Sequence, residues 1–323
     1  MEKILGSSSF AYTFAKGWMD VNGIIKIIAA LLLLVIFVTV QQVEKKAIPA
    51  AKTSSLYEEI QEKKEGFEYP PQDARVDKVW KKIPGLNGKK VNVEKSYENM
   101  KKANKFDEAK LVFEQIEPKV KLKDLPPAPI YKGNDQKKMV TFLINVSWGE
   151  EYIPAMLETL DKHQVKANFF IDGAFARDNP SQVQMIEEKN HLVGSHGFGH
   201  PDFYTLREGT AKDNLIKTNE LLASFSDEPI RWFAPPSGSF SNETVTAAES
   251  LDMLTILWTV DTIDWKKPTK DVLIERVLSK AHNGATILMH PTQVTSDSLD
   301  SLITALKKEY QIVTLDELMS ETR

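Results

Sequence analysis

From residue 139 onward, short apolar runs of strand length alternate with stretches whose apolar residues recur at helical spacing. This alternation limits the fold more than any other feature of the 323-residue chain. The runs predict strands over 140–146, 167–171, 192–195, 230–234, 253–260, 285–290 and 311–314. Helices are predicted over 152–163, 180–190, 210–225, 241–250, 272–281 and 298–310. A strand that reaches its neighbour only after a helix must cross over, so the strands run parallel. About seven such units leave two architectures, a (β/α) barrel or a doubly wound sheet. In a barrel the chemistry collects where the strands end.

The informative polar residues stand at those ends. Past the strand 192–195 come His196, Gly197, Phe198, Gly199 and His200. Two imidazoles four positions apart in a loop or first helical turn can converge on one cation such as zinc. The spacing alone is a weak signal, since it arises as readily by coincidence. Asp261, Thr262, Ile263, Asp264 and Trp265 follow another strand and would set two carboxylates and an indole on the same rim. The strand 285–290 ends in His290, a position suited to a general acid or base. Phe233, Ala234, Pro235, Pro236, Ser237 and Gly238 form a stiff turn able to aim backbone N–H groups.

Composition removes several classes of function. The chain has no cysteine, which excludes disulfides, thiolate nucleophiles and Cys-ligated zinc, and leaves six histidines as the soft metal ligands. A formal net charge of −4 gives no bulk basic character for nucleic acid. With 42% hydrophobic and 27% charged residues, the chain is neither wholly disordered nor a polytopic membrane protein.

In these motifs the region 139–318 resembles the polysaccharide deacetylase domain, also called the NodB homology domain or carbohydrate esterase family four. The match is closest to a membrane-tethered, sporulation-associated branch of that family. Tyr152, Ile153 and Pro154, then Val165, Lys166, Ala167, Asn168, Phe169 and Phe170, follow its Tyr-Thr-Pro and Val-Lys-Ala-Thr-Phe-Phe pattern. The resemblance implies an α/β fold, a distorted seven-stranded (β/α) barrel. It also implies hydrolysis of acetamido C–N bonds on a glycan, with a divalent metal. Counting back from Tyr152 sets the family's Thr-Phe-Asp-Asp-Gly-Pro on Leu143, Ile144, Asn145, Val146, Ser147 and Trp148.

The departures form a consistent set. By the resemblance, Asn145 replaces the base aspartate, Val146 the metal-binding aspartate, and Ala234 the arginine that tethers the base. His196 and His200, the metal pair, are kept. So are Asp264 within Asp-x-x-Asp-Trp and His290, which in the family protonates the leaving amine. An amide oxygen does not take a proton near neutral pH, and loss of a general base costs about 10²–10⁴ in rate. A valine has no lone pair, so two imidazoles stand where catalytic zinc commonly has three protein ligands, and a metal would be held weakly or not at all. Without the carboxylate, a buried unpaired arginine at 234 would be costly. A shifted register, with Glu150 or Glu151 as the carboxylate, is the alternative. Substrate contacts are expected from Trp265, Ser237, Pro236 and Leu288, and Phe198 either stacks on sugar or merely caps the barrel.

Ahead of this domain the chain divides further. Residues 27–40 are uncharged and apolar on every face, which predicts a signal anchor over 24–42 after a short region 1–23. A cleaved signal peptide or a buried helix are the alternatives. Residues 43–77 read as a polar stalk with a charged helical stretch around 57–64, 78–124 as a small α/β module, and 125–138 as a Pro-rich linker. The expected location is the cell membrane, single-pass, with the C-terminal domain outside. Three readings follow. The chain is an impaired deacetylase-like protein that binds N-acetylated cell-wall glycan, peptidoglycan or spore cortex; or an active metal-dependent N-deacetylase; or a structural protein of the spore envelope.

Overall fold

Apolar side chains on both faces make residues 139–146 the spine of the sheet. In the computed structural model, which describes residues 55–226 and 228–323, Val140, Phe142, Ile144 and Val146 are buried in the cluster beneath the helices. Leu143 points the other way, into a second cluster with Phe170, Trp232, Ile256 and Leu315. Burial on both faces suits a parallel strand covered by helices. Fully burying one such side chain contributes about 1.5–3 kcal/mol.

The strands in chain order are β1 (Arg75–Asp77), β2 (Lys81–Ile83), β3 (Gly88–Val91), β4 (Phe113–Ile116), β5 (Met139–Val146), β6 (Asn168–Ile171) and β7 (Leu192–Ser195). They continue with β8 (Trp232–Phe233), β9 (Leu254–Thr255), β10 (Val260–Asp261), β11 (Ala285–Met289) and β12 (Gln311–Ile312). The main sheet runs β10-β11-β5-β6-β7-β8-β9, with β12 also pairing β5, and every pair in it is parallel. It curls into a seven-stranded distorted (β/α) barrel of the expected kind, and β9 and β10 are its two ends.

Helices Ile153–Lys162, Pro180–Glu188, Glu208–Leu222, Asn242–Glu249, Lys270–Leu278 and Gln293–Leu306 cover the sheet. The last starts earlier than the sequence pattern predicts because Thr292 caps it, accepting from the Thr295 N–H. The short helix Gly173–Asp178 is not among the predicted elements. Its cap Asp172 accepts from the Ala174 N–H.

The predicted strand 253–260 is broken. Ile256 N–H still donates to the Phe233 carbonyl, but Leu257 N–H turns to the Ile130 carbonyl, and Ile130 N–H donates to Thr255. The chain rejoins the sheet at Val260, opposite Ile287. Residues around Ile130 therefore seal the seam, and Ile130 is completely buried. The segment read from its prolines as a linker is in fact clamped, with Asn134 Nδ2 donating to the Pro84 carbonyl.

The boundary of the module also moves. Helix Ser55–Lys63 lies inside the stretch read as a stalk, yet Leu56 and Ile60 are buried with Val91, Val93, Met100 and Leu111. A polar composition hid two apolar positions four apart on one helix face. The module's hairpins, β1 with β2 and β3 with β4, are antiparallel. It is fastened to the barrel by the Lys82–Glu249 ion pair, in which the lysine is buried, and by Asn87 N–H donating to the Glu321 carbonyl. The expected anchor 24–42 lies outside the described residues. Among those described, no helix is long and apolar enough to cross a membrane.

Candidate functional site

Strand alternation decides which side chains reach the barrel mouth. Val146 packs outward in the cluster under the helices, so its neighbour Asn145 lines the central cavity. That cavity holds about 370 Å³ and is lined by Asn145, Ser147, Trp148, His196, His200 and Ser237. Trp258, Asp261, Trp265, Leu288 and His290 complete it. Strand ends from both halves of the sheet thus converge as the sequence pattern predicts. Pro236 is buried outside the cavity, and Glu150 and Glu151 are exposed on the turn beyond it. A shifted register with either glutamate as the carboxylate does not fit that placement.

His196 and His200 leave β7 in a loop, not a helix. Gly197 and Gly199 take φ of +73° and +79°, and His200 itself takes +53°. A Cβ at Gly197 would meet the Phe203 ring at 2.6 Å, so glycine is required there. The two imidazoles stand edge to face with centroids 5.4 Å apart. His196 is almost wholly buried, its Nδ1 2.7 Å from the Ala234 carbonyl. That contact makes Nδ1 the donor and leaves Nε2 as the lone-pair nitrogen. Burial pushes the His196 pKa down to about 3, so the ring is neutral at ordinary pH.

A buried carboxylate organises the opposite wall. Asp264 has no exposed surface, and its Oδ1 lies 2.8 Å from His290 Nδ1. Its Oδ2 accepts from the His290 backbone N–H at 2.6 Å and from Thr295 Oγ1 at 2.7 Å. An ionised carboxylate only accepts, so His290 Nδ1 carries the proton and Nε2 is left free. Trp148 lies parallel to the His290 ring, 10° between planes and 5.8 Å between centroids. Ile263 and Lys267 take left-handed φ of 53° and 51° on either side of Asp264, Trp265 and Lys266, a strained turn that holds Trp265 half exposed at the mouth.

The residues present do not fit a tightly held metal. Among the described residues no three His, Cys, Asp or Glu side chains are grouped to hold an ion. The donors facing the cavity at this end are two imidazoles, and the Val146 position is closed off in the core. Asn145 is 3% exposed, and its Oδ1 is buried with no hydrogen-bond partner in the protein. A buried acceptor of this kind asks for a donor from a ligand.

Sequence reasoning missed Trp148, Trp258 and Ser147 as lining residues, while Asp261 stands on the rim as expected. Strand-end position was the available signal for Ser147, whereas the indoles are brought in by turns. Phe198 stays outside the cavity. It lies over Gly173 with Lys217 Nζ 3.4 Å above its ring, which is the barrel-capping alternative.

Comparison with known proteins agrees with this geometry. Residues 132–256 match the family model described as Polysaccharide deacetylase. The uncharacterized protein YlxY of Bacillus subtilis is 52% identical over 84% of this chain and 86% of its own length. The peptidoglycan-N-acetylmuramic acid deacetylase PdaA of B. subtilis is 30% identical over 59% of this chain and 75% of its own. Among solved structures, a CE4 family pseudoenzyme from Bacillus anthracis superimposes with a TM-score of 0.79 at 49% identity, covering 84% of this chain and 97% of that one. A mutant of that pseudoenzyme with restored enzymatic activity superimposes equally well. The chain therefore belongs to the polysaccharide deacetylase family.

Proposed function

We propose that this protein binds N-acetylated cell-wall glycan in the barrel mouth and hydrolyses it poorly or not at all. The observation that carries this reading is the partnerless Asn145 Oδ1 at the floor of a tryptophan-lined cavity. An acetamido N–H supplies the missing donor, and the indoles and Leu288 suit the sugar's C–H face and the acetyl methyl. Asn145 in place of the family's base, Val146 in place of its metal-binding carboxylate and Ala234 in place of its tethering arginine account for impaired hydrolysis. The retained Asp264–His290 pair then orients the ligand, with His290 Nε2 free to bond to the acetamido group or a sugar hydroxyl. Relatives act on peptidoglycan, by name on N-acetylmuramic acid and N-acetylglucosamine units, and a pseudoenzyme stands among the similar structures.

Calorimetry with N-acetylglucosamine oligomers, alongside an acetate-release assay, tests the reading. Binding without acetate release is expected, and Trp265→Ala should weaken it by about tenfold. Acetate release at a rate typical of the family, abolished by His200→Ala, would instead establish an active deacetylase.

A further inference from the structure

Trp148 stands two residues past β5, in the place of the family's proline, and nothing in the family pattern assigns it a task. β10, β11 and β5 are consecutive in the sheet, and the turns that leave them bring Trp265, His290 and Trp148 to one mouth. Neighbouring strands lie about 4.8 Å apart, which separates β10 from β5 by about 10 Å, roughly the length of two linked sugar rings. Both indoles are unusually open for tryptophan, 46% exposed at Trp148 and 52% at Trp265.

The Trp148 wall is also held in place. Its ring lies parallel to His290, and His290 is fixed by both oxygens of buried Asp264. The next residue, Gly149, has φ +84°, and a Cβ there would fall 2.0 Å from the Pro291 carbonyl oxygen. The turn after Trp148 is thus pressed against the turn after His290, and the two rings keep their alignment before any ligand arrives. Preorganised aromatic surface of this kind binds without a large ordering cost.

We infer that Trp148 is a sugar-stacking, specificity-determining residue that acts with Trp265 to read at least two consecutive units of an N-acetylated glycan, not a single sugar. The inference rests on the glycan-binding reading above. Wild type, Trp148→Ala, Trp148→Phe and Trp265→Ala full chains are titrated with N-acetylglucosamine and with its β-1,4-linked tetramer, by calorimetry and tryptophan fluorescence.

The tetramer should bind wild type more tightly than the monomer does. Trp148→Ala should weaken the tetramer by about tenfold and leave the monomer within about twofold. Trp148→Phe should recover most of the loss, and the thermal midpoint of Trp148→Ala should stay near wild type because the indole is half exposed. Unchanged tetramer binding in Trp148→Ala, with loss in Trp265→Ala, overturns the inference and leaves the glycan reading standing. If wild type binds neither sugar, both fall.

Discussion

Lowering the pH should destabilise this protein through His191, a histidine just before β7 and away from the barrel mouth. Its Nδ1 accepts the Ala167 N–H at 3.2 Å, which puts the ring proton on Nε2, and that atom is buried without a partner. Burial first, then the nearby Lys166 ammonium, push its pKa from 6.5 down to about 4. Between those values the unfolded chain binds more protons than the fold. Stability is therefore complete above about pH 6.5 and is lost progressively as the pH falls toward 4.

From about pH 7.5 to about pH 5.0 the loss attributable to this group is about 2 kcal/mol. Urea unfolding at the two pH values measures it. Because buried His196 pushes in the same direction, the decisive comparison is with His191→Asn, whose Oδ1 can take the Ala167 N–H but cannot titrate. That variant should be less stable at pH 7.5, through the cavity it leaves, while its further loss on acidification should be smaller than wild type's by about 2 kcal/mol. Equal losses in the two proteins, or an NMR titration of the His191 ring near pH 6.5, would refute the reasoning.

Three other outcomes follow from the packing. Gly149→Ala should cost about 2–4 kcal/mol in chemical denaturation, since both the positive φ and the Pro291 carbonyl oppose a Cβ, whereas Gly209→Ala, with open space around it, should cost nothing comparable. Lys82→Ala should destabilise by about 3 kcal/mol, because it strips the partner from Glu249 and opens the contact between module and barrel, and Lys82→Met, which keeps the buried stem, should lose less than Lys82→Ala does. The double variant Asn145→Asp with Val146→Asp should be less stable than wild type without metal, since Val146 is wholly buried among apolar side chains, and a gain in thermal stability on addition of zinc, read by thermal unfolding, is expected where the new carboxylate turns from that cluster toward His196 and His200. Absence of any zinc-dependent shift would show that the two positions do not complete a site with His196 and His200.

Much of the barrel is written locally. The continuous apolar run 139–146, the helix spacing of 153–162 and the strand before His196 each report one element's own pattern, so their positions can be read within a residue or two. The break in 253–260 cannot. Its residues have strand character throughout, and only the arrival of Ile130 at the seam diverts the hydrogen bonds. The docking of the helix Ser55–Lys63, though not the helix itself, was hidden for the complementary reason: its composition is polar, and two buried side chains suffice to dock it.

The sequence by itself determined the succession of strands and helices and the rim on which His196, His200, Asp264 and His290 sit, because each is a matter of residue type and periodicity. Tertiary structure decided that Asn145 is left with an unmet acceptor, that Trp148 lies flat beside His290, and that the segment around Ile130 seals the barrel seam. Those are contacts between strand ends and turns far apart in the chain, and their geometry is set by sheet order and close packing, which no local pattern carries.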